Sequence, residues 1–118
     1  MGLVAALAER RPILCGGSVF ERMRRRSDLR LDEHVAHSAL IHDEAARSIL
    51  VEVHREYVEA AHEAGVPAMV LAATWRASRE RVEASRFAGR PLNEDNVAFV
   101  RALQRDGEPA LLCAGVLG

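Results

Sequence analysis

The chain has 118 residues, 49% apolar and 28% charged, which suits one compact domain with a real core. Its formal net charge is −1, so there is no electrostatic case for nucleic acid or a membrane surface as partner. All 16 basic residues are arginine, which excludes a Schiff-base lysine, a pyridoxal-phosphate anchor and a Walker-type phosphate lysine.

Cys15 and Cys113 are the only cysteines. Two isolated cysteines far apart make neither a zinc-ligand pattern nor a secreted disulfide framework. The N-terminus lacks a basic n-region before its short apolar stretch, so no signal peptide is read. No apolar run is long enough to span a bilayer, and the expected location is the cytoplasm. Arg22, Arg24, Arg25 and Arg26 form a basic run that reads as solvated surface rather than a phosphate site.

In chain order, Leu3, Val4 and Leu7 mark one side of a short helix from Leu3 to Glu9. Pro12 to Cys15 is a short apolar run ending in Gly16-Gly17, which fits a strand buried on both faces. Ser18 to Arg26 resumes a helical pattern, and Ser27 to Ser38 is polar and irregular. The clearest element is Asp43 to Ala64. Its apolar residues Ala46, Ile49, Leu50, Val53, Tyr57, Ala60 and Ala61 recur at spacings of three and four. Asp43 is the expected N-cap, and Gly65 with Pro67 supplies the stop.

Ala68 to Ala73 is a second apolar run without alternation. It ends in Thr74-Trp75-Arg76-Ala77-Ser78, with Ser78 expected to cap a short helix through Ser85. Ala88 to Pro91 reads as a loop. A further helix is expected to start at Asn93, with Leu92 and Val97 as a hydrophobic staple, Glu94 and Asp95 at its positive end, and Asp106-Gly107 as its stop. Pro109 to Val116 is the third apolar run. Strand, helix, strand, helices, strand is the order of right-handed βαβ crossovers, so the fold class is α/β with a parallel sheet. Residues 1–118 form one domain without repeats.

Five segments in this order resemble the homocysteine S-methyltransferase (homocysteine-binding) family. Ile13 to Gly17 with Val19-Phe20-Glu21 is similar to its first strand, Asp-Gly-Gly turn and following helix. Val53 to Ala60 before Ala64-Gly65 resembles its first long helix. Thr74 to Ser78 is similar to the end of its second strand, Asn93 to Asn96 to the start of the next helix, and Ala114 to Gly118 to the end of its third strand. The resemblance implies the first three strand–helix units of a TIM (β/α)8 barrel, incomplete, because such barrels need about 250 residues. It also implies methyl transfer to the thiolate of homocysteine, held by zinc on three cysteines of later strands. Zinc is thus the implied cofactor, and its ligands are absent from this chain.

Cys15 stands where the family usually has an Asp that helps recognise the amino acid end of the substrate. Cys113 falls at a position that is usually small and apolar. Both are expected to be buried apolar thiols rather than ligands.

The expected substrate-binding residues are Gly16, Gly17, Thr74 and Trp75, at the C-terminal mouth of the strands. Two readings stay open for each pair. Gly16 and Gly17 serve backbone approach to substrate, or a tight turn with positive φ. Thr74 and Trp75 pack on a substrate chain or methyl donor, or on the core. No catalytic residue and no metal ligand is assigned. Ser18 lacks the context of a nucleophile. His34, His37 and His42 read as solvated loop histidines, and His54 to Tyr57 as a structural segment ion-paired to neighbouring helices.

The leading expectation is a homocysteine S-methyltransferase-like N-terminal fragment, inactive alone, whose substrates are homocysteine and a methyl donor. Three strands alone would leave Ile13, Met69, Leu71 and Leu112 on an uncovered sheet face, so marginal stability or self-association is expected. The alternative is a non-catalytic small α/β domain that self-associates or binds a partner through open sheet edges. A nucleotide-binding domain ranks last, because no phosphate loop is present.

Overall fold

The computed structural model describes residues 2–118. Three strands, β1 (Leu14–Cys15), β2 (Ala68–Leu71) and β3 (Leu112–Ala114), form one sheet in the order β1-β2-β3. Both pairings are parallel, with Cys15 opposite Met69 and Leu71 opposite Ala114. Among the described residues five α-helices accompany them: α1 (Leu3–Ala8), α2 (Val19–Arg24), α3 (Glu44–Glu63), α4 (Arg79–Ala84) and α5 (Leu92–Arg101). The sheet is open, and each strand is shorter than its apolar run. Among the described residues no helix is long and apolar enough to cross a membrane.

The longest helix, α3, is set by its ends. Asp43 accepts a hydrogen bond from the Ala46 amide at 2.8 Å, closing the N-terminus. At the other end Gly65 takes φ 65°, and the Val66 amide donates to the Ala61 carbonyl at 3.0 Å. That left-handed residue reverses the chain straight into β2. The buried stripe of α3 is Ala46, Leu50, Val53, Val58 and Ala61. It packs on Val19 and Met23 of α2, on Ala68, Val70 and Ala72, and on Phe99, Val100 and Leu103. Ala60 is exposed and Val58 buried, so the stripe is turned slightly from the one its apolar spacing marks.

The other strand face is covered less. Met69 and Leu71 are half-buried and Cys15, on the same face, is exposed; Cys113 is exposed too, although it stands beside Val70 on the helix-covered face. The expectation of strands buried on both faces is thereby corrected, as is that of two buried thiols. Cys15 and Cys113 lie on edge strands, where no neighbouring strand or full helix layer shields them. Leu112, expected on the uncovered face, is nonetheless 6% exposed.

A second small cluster joins Val35, Ala39, Ala77, Val82, Phe87 and Leu92. Its residues Val35 and Ala39 flank or enter a 3-10 helix, His37–His42, which begins at the end of the stretch expected to be irregular and polar, Ser27 to Ser38, and runs on past it. That element was unreadable because its buried residues, His37 to Ile41, include two polar side chains and show no helical period.

The start of α5 also differs from expectation. Leu92 is its first residue, and Pro91 occupies the N-cap position without a side-chain cap. Asn93 instead donates its Nδ2 to the Ala77 carbonyl at 2.8 Å. Leu92 therefore lies inside the helix and not before its cap, so it does not hold the position the expected staple with Val97 requires. The helix ends at Arg101, before Asp106-Gly107. Helix α1 forms as expected, yet Leu3, Val4 and Leu7 are exposed and only Ala6 is buried.

Arg55 closes the far side of the first cluster. Its side chain, 8% exposed, makes two bonds to Glu108, at 2.9 and 2.5 Å. The guanidinium holds the Glu108 carboxyl below the usual carboxylate range, chiefly through these hydrogen bonds. Removing one partner of such a pair strands the buried one. Glu108→Ala, which leaves the buried Arg55 with only the longer contact to exposed Glu59 at 3.7 Å, should therefore lower the urea midpoint more than Arg55→Met, which leaves a more exposed carboxylate free to solvate. The core itself is checked by Leu50→Ala, expected to destabilise by about 2–5 kcal/mol in urea unfolding.

Candidate functional site

Because all three strands are parallel, their C-terminal ends lie on one rim of the sheet. In open α/β sheets and barrels this rim is where ligands bind. Gly16-Gly17 follows β1, Thr74-Trp75 follows β2, and Gly115 to Gly118 follows β3.

The Gly16 amide donates to the Met69 carbonyl at 3.0 Å, continuing the pairing of β1 with β2. Neither Gly16 nor Gly17 is among the positive-φ glycines, which are Gly65, Gly89 and Gly107. The tight-turn reading of this pair is therefore set aside. A side chain at Gly17 would place its Cβ 2.7 Å from the Tyr57 hydroxyl oxygen. The glycine admits Tyr57 of α3 beneath the rim. Arg22 lies 5.7 Å from the Tyr57 ring centroid and is ion-paired to Glu56 at 2.8 Å. These residues, with Arg55, supply the ion pairing expected of this helix segment.

Thr74 ties β2 to β3 beyond the strands. Its Oγ1 accepts from the Val116 amide at 2.7 Å and donates to the Val116 carbonyl at 2.9 Å. Trp75 is half-buried. Phe20 of α2 meets it edge-on at 5.0 Å, and the Arg76 guanidinium lies 4.4 Å from its ring centroid. Thr74 and Trp75 line a groove of about 320 Å³ with Ser78, Asn93, Gly115 and Leu117. Gly16 and Gly17 are not part of this groove. The structure thus brings two of the four expected residues together.

A larger hollow of about 770 Å³ lies beside the loop of residues 28–34, lined by Asp28, Asp32, His34, Asp43 and Arg86 among others. Two of its carboxylates serve the backbone. Asp32 accepts from the His34 and Val35 amides at 2.8 and 3.0 Å, and Asp43 caps α3.

The histidines divide in a way the sequence did not reveal. His34 faces Glu33 at 2.9 Å, and His42 lies 3.3 Å from Asp95 and stacks on Phe87. His37, expected in solvent, is 6% exposed, and His54 is 4% exposed. Burial pushes both imidazoles down to about 4, and for His37 the nearby charge of His54 adds to it. Phe20 and Tyr57 were missed as neighbours of the rim residues, and His37 and His54 as buried side chains. Only Phe20 and Tyr57 carried a signal, as apolar positions of the helices that follow β1 and precede β2.

The cysteines do not fit a three-cysteine zinc site. Cys15 pairs with Met69 and Cys113 with Val70, which places the two thiols on opposite faces of the sheet. The Cys15 sulfur lies 3.7 Å from that of Met69, and burial pushes the Cys113 thiol up. Among the described residues no group of three or more His, Cys, Asp or Glu could hold a metal ion.

The fit of Tyr57 under Gly17 is directly testable. Gly17→Ala should destabilise the chain by about 1–3 kcal/mol through overpacking. Adding Tyr57→Phe, which removes the nearest clashing atom, should recover part of that loss in urea unfolding. No known protein family, curated protein or solved structure matches this chain.

Proposed function

We propose that the chain is homocysteine S-methyltransferase-like, corresponding to the first three strand–helix units of a (β/α)8 barrel. The observation that supports this reading most is the common rim. Gly16-Gly17, Thr74-Trp75 and Ala114 to Gly118, the segments that resemble the family at three strand ends, all follow parallel strands in the order β1-β2-β3. In this reading the rim offers backbone at Gly16-Gly17, the hydroxyl of Thr74 and the half-buried ring of Trp75 to the substrate. An indole face there suits the aliphatic chain of homocysteine or a methyl donor.

The chemistry of methyl transfer needs a homocysteine thiolate. The residues of this chain do not supply the zinc site that makes one in the family. The role left to these residues is to bind and orient, and the chain alone is proposed to be catalytically inactive.

The second reading, self-association through the sheet edges, rests on a separate observation. β1 and β3 are both edge strands, and the face carrying Met69 and Leu71 is only partly covered. Unpaired edges of this kind template pairing with another chain.

Adding homocysteine to the purified chain should shift the amide signals of Gly16, Gly17, Thr74 and Trp75. No methionine should form with S-methylmethionine and zinc present. Absence of those shifts, together with concentration-dependent shifts at Leu112 to Ala114 and a mass above the monomer, would favour the edge-pairing reading.

A further inference from the structure

The 3-10 helix His37–His42 sits between α2, α3 and α5 and brings the His37 imidazole into the interior, where the His54 imidazole of α3 is also buried. His37 opens it, 6% exposed, and His54 of α3 is 4% exposed. The Nδ1 atom of each is buried and has no hydrogen-bond partner. Their surroundings are aromatic: the Phe20 ring lies 5.4 Å from His37 and the Phe99 ring 6.0 Å from His54. No described carboxylate lies within ion-pairing distance of either ring. An imidazolium here would be a buried, uncompensated cation, and two of them would repel each other.

The hinge of this element is strained. Ala36, immediately before His37, has φ 50° and ψ −126°, a combination that L-residues with a Cβ rarely adopt. The element also reaches the rim. Ser38 donates its hydroxyl to the Ala73 carbonyl and accepts from Asn96 through its own carbonyl. His37 contacts Phe20, which in turn meets Trp75 edge-on.

We infer that the His37–His54 pair makes this 3-10 helix an acid-released clasp: neutral rings hold it on α3, and protonated rings open it and separate Trp75 from Phe20. The inference does not rest on the methyltransferase reading.

The charged groups on the neighbouring elements do not offset such a proton. On α2, Arg22 is paired with Glu56, and Glu21 with Arg24 and Arg25. On α3, Arg55 is paired with Glu108, and Arg47 lies 5.2 Å from the Phe99 ring centroid. On the turn after β2, Arg76 lies against Trp75. On α5, Asp95 faces His42 of the 3-10 helix itself at 3.3 Å. A charge on His42 is therefore met by a carboxylate, while a charge on His37 or His54 is not.

The sign follows from which form binds protons. Both rings titrate near 4 when buried, against 6.5 when free, so the open form takes up protons first. The clasp is at full strength above about pH 6.5 and is lost as pH falls towards 4.

Trp75 is the only tryptophan, so its emission reports the clasp. Emission and far-ultraviolet circular dichroism of the whole chain should be followed from neutral to acid pH. The emission should change between pH 6.5 and 4, with uptake of two protons, before the helical signal of α3 is lost. Either His37→Gln or His54→Gln should move that midpoint to lower pH, and the double variant should abolish the early step. If the glutamine variants fail to fold, the imidazole C–H signals of the wild-type chain decide. Both rings should then stay neutral until the emission step and titrate with it. The inference is overturned if emission and circular dichroism change together, if the variants leave the midpoint unmoved, or if either ring titrates freely near pH 6.5 without an emission change.

Discussion

The packing of α3 against one face of β2 is the constraint on which the rest depends. A parallel pair needs a crossover helix, and that helix must bury its stripe on the sheet it connects. Leu50, Val53, Val58 and Ala61 meet Ala68, Val70 and Ala72, and this contact fixes the direction of β2 relative to β1. Once the strands are parallel, their C-terminal ends must share a rim. The position of Thr74, Trp75, Gly16 and Gly17 on one rim is thus a consequence of the core, and the bonds of Thr74 to Val116 then tie that rim together. The same contact places Tyr57 beneath Gly17 and Arg55 beside Glu108, since both side chains project from α3.

The sheet is asymmetric. One face has α3, α2 and α5 against it, while the other leaves Met69 and Leu71 half-buried. In the barrel reading, further strands would curl that face inward. In the edge-pairing reading, another chain covers it. Both readings share the physical point that Met69 and Leu71 of β2 are only half covered within this chain. The rim groove shares this openness, bounded by Thr74, Trp75 and the segment after β3 and by little else.

Much of the fold was legible in the sequence because its signals were local and redundant. The α3 helix had an N-cap, a period and a glycine stop, all of which the structure uses. The three apolar runs marked strands correctly, but the chain forms only two to four residues of pairing from each, since an edge strand needs a neighbour to extend its ladder. The errors fell where tertiary contact overrode local pattern. Asn93 looked like a cap, yet the Ala77 carbonyl claims its side chain. His37 looked like a loop residue, because no spacing rule shows that Phe20 and α3 will enclose it. At the site, the rim position of Gly16, Gly17, Thr74 and Trp75 followed from strand order, whereas their division between a groove and a tyrosine-filled turn depended on α3 geometry.

Hydrogen exchange of the backbone amides tests the central claim most directly, because protection reports which contacts hold the native state together. If α3 on β2 is the organising contact, the slowest amides should be those of Leu50 to Val58 and of Val70 to Ala72. The amides of β3 and of the segment after it should exchange sooner. Slowest exchange at Leu112 to Ala114, or equally fast exchange along α3 and β2, would contradict the account.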